Sequence, residues 1–235
     1  MRHPTIAPRT LSHALPGAVR QGAPASPPNG ERLSALINMA GRQRMLSQRL
    51  VLHAVLASQE PAPGPSRALP VLRETLERMA SSHDRLAHGD AEWPGAFSDG
   101  LRQAYFAPRN ADARVRDFLG LAKQVLDGLE SRRANVDAIV QELVAEATPI
   151  LELLNELTLA HEAEAALRAR QERNRHQELM ERLHAVAREA KVVAFNAQVA
   201  AHRAGVHGPE FGVVAARMGV ITEEMEKLLL QARGR

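Results

Sequence analysis

Apolar residues recur every three or four positions through most of the chain, and these intervals locate its helices. The spacing predicts a first helix over 31–58. Placed on a helical wheel, Leu33, Leu36, Ile37, Ala40, Ser47 and Val51 share one face, with Arg44 at its centre. The Pro61-Ala-Pro-Gly-Pro65 tract stops this helix. A second helix is expected over 66–88, with Leu69, Leu72, Leu76, Met79, His83 and Leu86 facing inward. Gly89-Asp90 and Trp93-Pro94-Gly95 open a long connection over 89–110, with room for a short helix over 98–106. It carries Trp93, Phe97, Tyr105 and Phe106, and reads as an aromatic cap on the end of a bundle. A third helix is expected over 112–147, its buried side marked by Val115, Phe118, Leu119, Ala122, Leu126, Leu129, Val136, Val140 and Leu143.

Thr148-Pro149 starts the chain afresh, and no Gly or Pro then occurs from Ile150 to Ala204. That stretch permits one helix on the order of 80 Å long. Ile150, Leu153, Leu154 and Leu157 complete a four-helix core, whereas residues 168–178 are polar on nearly every side, an exposed connector or a break. Beyond them Leu179, Leu183, Val186, Ala190, Val193, Ala197, Ala200 and Ala204 form a heptad seam. Phe211, Val214, Met218, Ile221, Met225 and Leu228 repeat it after the Gly205–Pro209 turn. The expected fold is all-α: an up-down four-helix bundle followed by an antiparallel coiled-coil hairpin. A two-helix hairpin buries little by itself, so pairing with a second copy is expected. The boundaries read as a proline-rich disordered leader (1–30), a bundle (31–165), and a connector with hairpin (166–235).

Composition agrees with this picture. Aromatics make up 3% of the 235 residues, which suits packing by small and aliphatic side chains. The net charge is only +3 and no basic stripe carries interleaved aromatics, so nucleic acid is not an expected partner. The absence of cysteine excludes disulfides and thiolate chemistry. No apolar run suits a membrane span or a secretory signal, so a cytoplasmic protein without membrane insertion is expected. There is no nucleophile elbow, phosphate-cradling glycine loop or His-Glu-x-x-His motif, and the reading is a non-enzyme without cofactor. His202, His207 and Glu210 sit near the hairpin turn, but their spacing makes a poor metal set, and no metal is expected.

The chemistry concentrates on the first helix. A guanidinium in an apolar seam must be paired or hydrated. Gly41, one turn before Arg44, leaves a notch in the side-chain wall and costs about 1 kcal/mol relative to Ala. Two readings follow: Arg44 pairs with a carboxylate of a neighbouring helix, or it holds a small anion beside the notch. Arg42, Arg49 and His53 group on the other side and read as a solvated basic face.

Two stretches resemble known families. Ile37-Asn-Met-Ala-Gly-Arg-Gln-Arg-Met-Leu-Ser-Gln-Arg-Leu50 is similar to the signature of the PilJ-type sensor domain of type IV pili chemotaxis transducers. It is also similar to the P-box helix of nitrate/nitrite sensor kinases. Asn38, Ala40, Gly41, Arg44, Met45, Ser47 and Arg49 carry the match, while Arg42-Gln43 follows the PilJ-type pattern. The resemblance implies a dimerising four-helix bundle with one anion held between the first helices of two copies. Arg44 would be the ligand, with Gly41, Ala40, Ile37 and Ser47 around it. Nitrate suits such a site, being planar and open to bidentate hydrogen bonds from guanidinium forks.

Residues 186–218 resemble the signalling hairpin tip of methyl-accepting chemotaxis receptors. Asn196, Ala197, Arg203, Gly205, Gly208, Phe211 and Val214 stand at matching positions, whereas Ala200 and Val206 replace glutamates. Together the two resemblances imply a homodimeric receptor-like protein that senses nitrate, nitrite or a similar small anion and relays it through the hairpin. Chemotaxis or other coiled-coil signalling proteins would be its partners. The alternative is a helical adaptor that senses nothing and forms mixed bundles with chemoreceptors or other coiled coils.

Overall fold

A computed structural model describes residues 28–60, 64, 66–133, 135–204 and 208–233. The proline-rich leader before residue 28, and Gly205, Val206 and His207 of the hairpin turn, lie outside the described residues. Among the described residues there are seven helices and no strand: α1 (Gly30–Gln59), α2 (Ala68–Ala87), α3 (Asp99–Tyr105), α4 (Ala111–Glu130), α5 (Val136–Ala145), α6 (Ala147–Arg203) and α7 (Gly208–Arg233). The fold is an all-α helical bundle, as the periodicity predicts.

Local chemistry sets the helix ends. The Asn29 side chain accepts the Arg32 N–H at 3.0 Å and starts α1. Two acceptors cap α2: Ser66 Oγ takes the Leu69 N–H (2.9 Å), and Glu60 takes those of Arg67 and Ala68 (3.0 and 3.2 Å). The bundle core joins Leu36, Ala40 and Leu50 of α1 to Leu72, Met79 and Leu86 of α2. Val115, Phe118 and Val125 of α4 and Ile150, Leu154 and Leu157 of α6 complete it. Trp93, Phe97 and Phe106 pack on it half-buried, as expected of an aromatic cap, but Tyr105 is fully inside.

The expected third helix is two. It ends at Ser131 in a Schellman turn, with Arg132 N–H donating to Leu129 O (3.3 Å) and Arg133 N–H to Gly128 O (2.9 Å). Arg132 takes the left-handed conformation, φ 53°, that such a turn requires. The chain then folds α5 back so closely that a Cβ on Gly128 would lie 2.9 Å from Val136 Cγ2. Gly128 is therefore the contact point of two helices.

The buried face of α1 is also turned from the expected one, by somewhat less than the ~100° between successive residues. Its centre is Gln43, which is 1% exposed, not Arg44. Leu36, Ala40, Leu46, Ser47, Leu50 and Ala54 are buried with it, whereas Leu33, Ile37 and Val51 lie on the flank. A neutral amide is cheaper to bury than a guanidinium, even though only the Nε2 end of Gln43 is bonded and its Oε1 has no partner among the described residues. Gln43 Nε2 donates to Ser82 Oγ (2.5 Å) and reaches Met79 O (3.4 Å), tying α1 to α2.

α6 runs unbroken for 57 residues, so the polar stretch 168–178 is an exposed connector rather than a break. Past it α6 and α7 pair as a hairpin, but not through the expected seam. The buried residues are Ala187, Ala194 and Ala201 of α6, at seven-residue intervals, and Gly208, Ala215, Thr222 and Leu229 of α7, at the same interval. Small side chains let the two backbones approach; a Cβ on Gly208 would fall 2.0 Å from Ala201 O. The larger apolar set is displaced by about one residue and left in solvent: Leu179, Val186 and Val193 on α6, and Phe211, Val214, Ile221 and Leu228 on α7.

Candidate functional site

Arg44 lies on the exposed flank of α1 beside α6. Its Nη1 donates to the neutral Asn155 Oδ1 at 2.9 Å, and its Nε reaches back to Gly41 O at 3.4 Å. Among the described residues it forms no ion pair; the adjacent carboxylate of α6, Glu156, is engaged by Arg109 instead. Of the two readings the sequence leaves open, internal pairing with a carboxylate does not occur among the described residues. What remains is a guanidinium oriented by one amide, with donors toward solvent. Bidentate binding of a planar oxyanion needs a fork of that kind.

The other four residues of the predicted site divide by depth. Ala40 and Ser47 are buried in the helix–helix contact, and Ser47 Oγ donates to Arg44 O at 2.8 Å. Ile37 and Gly41 are half-buried on the same flank as Arg44. A Cβ on Gly41 would meet only Arg44 Nη2, at 3.6 Å, an ordinary van der Waals distance. Packing within the chain thus places no demand for glycine there. Met45, Leu52 and Leu56 lie further round α1 and are large, apolar and exposed.

The residues predicted for the signalling hairpin lie at the far end of α6 and α7. Asn196 and Arg203 are exposed, Gly208 is buried against Ala201, and Phe211 is 71% exposed. Gly205 lies outside the described residues. Phe211, Val214, Met218, Ala197 and Ala200 line an apolar hollow of about 320 Å³ close to the turn. His207 also lies outside the described residues. Among those described, no group of three or more His, Asp or Glu side chains could hold a metal, and no helix is long and apolar enough to cross a membrane.

A buried polar cluster escaped the sequence reading. Tyr105 OH lies 3.1 Å from His161 Nε2, both inside the bundle. Burial pushes the His161 imidazole down to about 4 and pushes the Tyr105 phenol up, so the phenol donates to a neutral imidazole. The Tyr105 ring lies beside that of His83, whose Nε2–H donates to Asp112 Oδ1 at 2.9 Å. Burial lowers His83, and Asp112 only partly opposes it. Burial alone would raise the Asp112 carboxyl, but hydrogen bonds from Arg116 and His83 outweigh it and hold it below the usual range. Arg116 continues outward to Asp84 at 2.9 Å and His88 at 3.1 Å. His83 does sit on the apolar spacing of α2; its partner lies 29 residues away on α4, at a distance that periodicity does not encode.

The chain thus combines an arginine-bearing first helix, a four-helix core and an unbroken helix of 57 residues that leads out of it. The chain belongs to the family described as the type IV pili methyl-accepting chemotaxis transducer N-terminal domain, whose model matches residues 29–179, well over half its length. Its role is accordingly chemotaxis-transducer-like signalling. No curated protein and no solved structure matches the chain.

Proposed function

We propose that this transducer-family protein acts by binding and not by catalysis. Two copies hold one small oxyanion, nitrate or nitrite in size and charge, between their α1 helices at Arg44. Binding shifts the population between two packings of the bundle, and the unbroken α6 relays that shift to the hairpin. The observation that carries this reading is the state of Arg44: exposed, oriented by neutral Asn155, and without an ion pair among the described residues. The exposed Leu52 and Leu56 supply apolar surface for the second copy, as does the unpartnered stripe of the hairpin. The fold does not need Gly41, which leaves the notch available to a ligand.

Thermal unfolding with increasing nitrate or nitrite, chloride serving as the ionic-strength control, tests the site. Wild type is expected to gain melting temperature as RT ln(1 + [L]/Kd) dictates, and Arg44→Ala to gain none. An equal response from both proteins overturns the proposal. Gly41→Ala separates ligand access from folding, because it leaves the fold intact and should still abolish the response.

A second reading draws on the hairpin alone. Its stripe of large apolar residues suits a mixed bundle with another coiled coil, which would make the chain an adaptor. Nitrate-independent co-assembly with a chemoreceptor signalling fragment, lost on Phe211→Glu, would favour it over the sensor.

A further inference from the structure

The face of α1 opposite Arg44 is not a plain solvated surface. It forms one wall of a groove of about 820 Å³ between α1 and α2, a volume usual for small-molecule sites. Arg42 and Arg49 stand on the α1 wall, seven residues or two turns apart. Arg78 and Arg85 stand on the α2 wall at the same interval. Glu77 is the one carboxylate in the lining. Arg42 and Arg49 form no ion pair among the described residues. Arg78 pairs with Glu74 at 3.1 Å in solvent, where such a pair is readily exchanged for a stronger anion, and Arg85 meets Asp90 at 3.1 Å.

Two further features make this a built site. Asp90 accepts the backbone N–H groups of Glu92 and Trp93, both at 2.8 Å, while its other oxygen meets Arg85 Nε. One carboxylate thus fixes a guanidinium beside an indole on the groove wall. Across the floor, the Gln43 amide bonded to Ser82 holds the two walls in register. Met39, Met45 and Leu46 lie between the arginines and give the groove apolar surface.

The geometry points to a nucleoside polyphosphate site, independent of the anion site at Arg44. The guanidiniums take the phosphates by bidentate hydrogen bonds, and the indole of Trp93 with the neighbouring methionines takes the base. Arg42 and Arg49, which form no ion pair among the described residues, call for a ligand with more than one negative charge, and Arg78 and Arg85 extend the same row of donors. The indole and thioethers call for one with a flat apolar body, which inorganic polyphosphate lacks.

Magnesium-free ATP, titrated into the full-length chain by calorimetry, is the test, with inorganic tripolyphosphate as the second probe. ATP should bind saturably at one site per chain. Arg42→Gln/Arg49→Gln should weaken it at least tenfold, and Trp93→Leu should weaken ATP but not tripolyphosphate. Arg170→Gln/Arg173→Gln, which removes two charges from the exposed connector of α6, should leave ATP binding unchanged. No ATP binding, or equal weakening by the two double variants, overturns the site. Tripolyphosphate binding as tightly as ATP overturns the nucleoside part. The substituted residues are on the surface or half-buried, and circular dichroism of each variant checks that it folds.

Discussion

Lowering the pH from 7 to 5 should weaken the bundle chiefly through His161. Its imidazole titrates near the ordinary 6.5 in the unfolded chain and at about 4 in the folded one. Between those values the unfolded chain binds the extra proton. The stabilisation is therefore fully present above about pH 6.5 and is lost as pH falls toward 4. At pH 5 the unfolded imidazole lies about 1.5 pKa units on its protonated side, while the folded one is still neutral. At 1.36 kcal/mol per unit the loss is about 2 kcal/mol, or roughly 4–8 °C in melting temperature. His83 is displaced in the same direction and adds to the slope. Carboxylates contribute as well, so the measurement is a difference between two proteins. His161→Gln keeps an acceptor for the Tyr105 hydroxyl and removes the titration. Urea unfolding followed through Trp93, the single tryptophan, reports the bundle directly. Wild type should lose about 2 kcal/mol more than His161→Gln between pH 7 and 5. Equal losses in the two proteins would refute the assignment of a neutral buried imidazole.

Three further substitutions have determined signs. Arg132→Gly relieves the left-handed residue of the α4 turn and should raise stability by up to about 1 kcal/mol in the same urea assay. Gly128→Val forces two branched side chains together where α4 meets α5 and should cost about 1–3 kcal/mol, with enhanced amide exchange in α5. Gly208→Ala drives a methyl group into the Ala201 carbonyl, so amide exchange should rise across α7 while the bundle's melting temperature holds.

Much of the fold is legible in the chain. Of the predicted α2 spacing, Leu72, Leu76, Met79, His83 and Leu86 are buried as read and Leu69 is half-buried, and Ile150, Leu153, Leu154 and Leu157 close the core. The family signature on α1 is dense enough to be read directly. Three features are not legible, each for a physical reason. A helical wheel ranks side chains by polarity and so cannot foresee that Gln43 finds Ser82 and Met79 waiting on α2, which turns the buried face toward it. The end of α4 carries no proline; a backbone turn through an arginine and a contact at Gly128 break the helix instead. In the hairpin, two heptad stripes run side by side, one of small residues and one of large. Hydrophobicity selects the large stripe, but the close approach of two backbones requires the small one. The candidate site on α1 has the same limit: Arg44 stands out in the sequence, while Asn155, which orients it, comes from 111 residues away.

The 57 residues of α6 join the bundle to the hairpin without a hinge, and this turns the exposed connector into a phase-setting shaft. Each residue in it contributes about 100° of rotation and 1.5 Å of rise. Adding one residue within 168–178 would swing the apolar stripe of the hairpin about a quarter-turn relative to Arg44 and leave both ends folded. Adding seven would bring it nearly back into phase, displaced by about 10 Å along the axis. The length of the connector, more than its composition, therefore fixes how the two ends of α6 face one another.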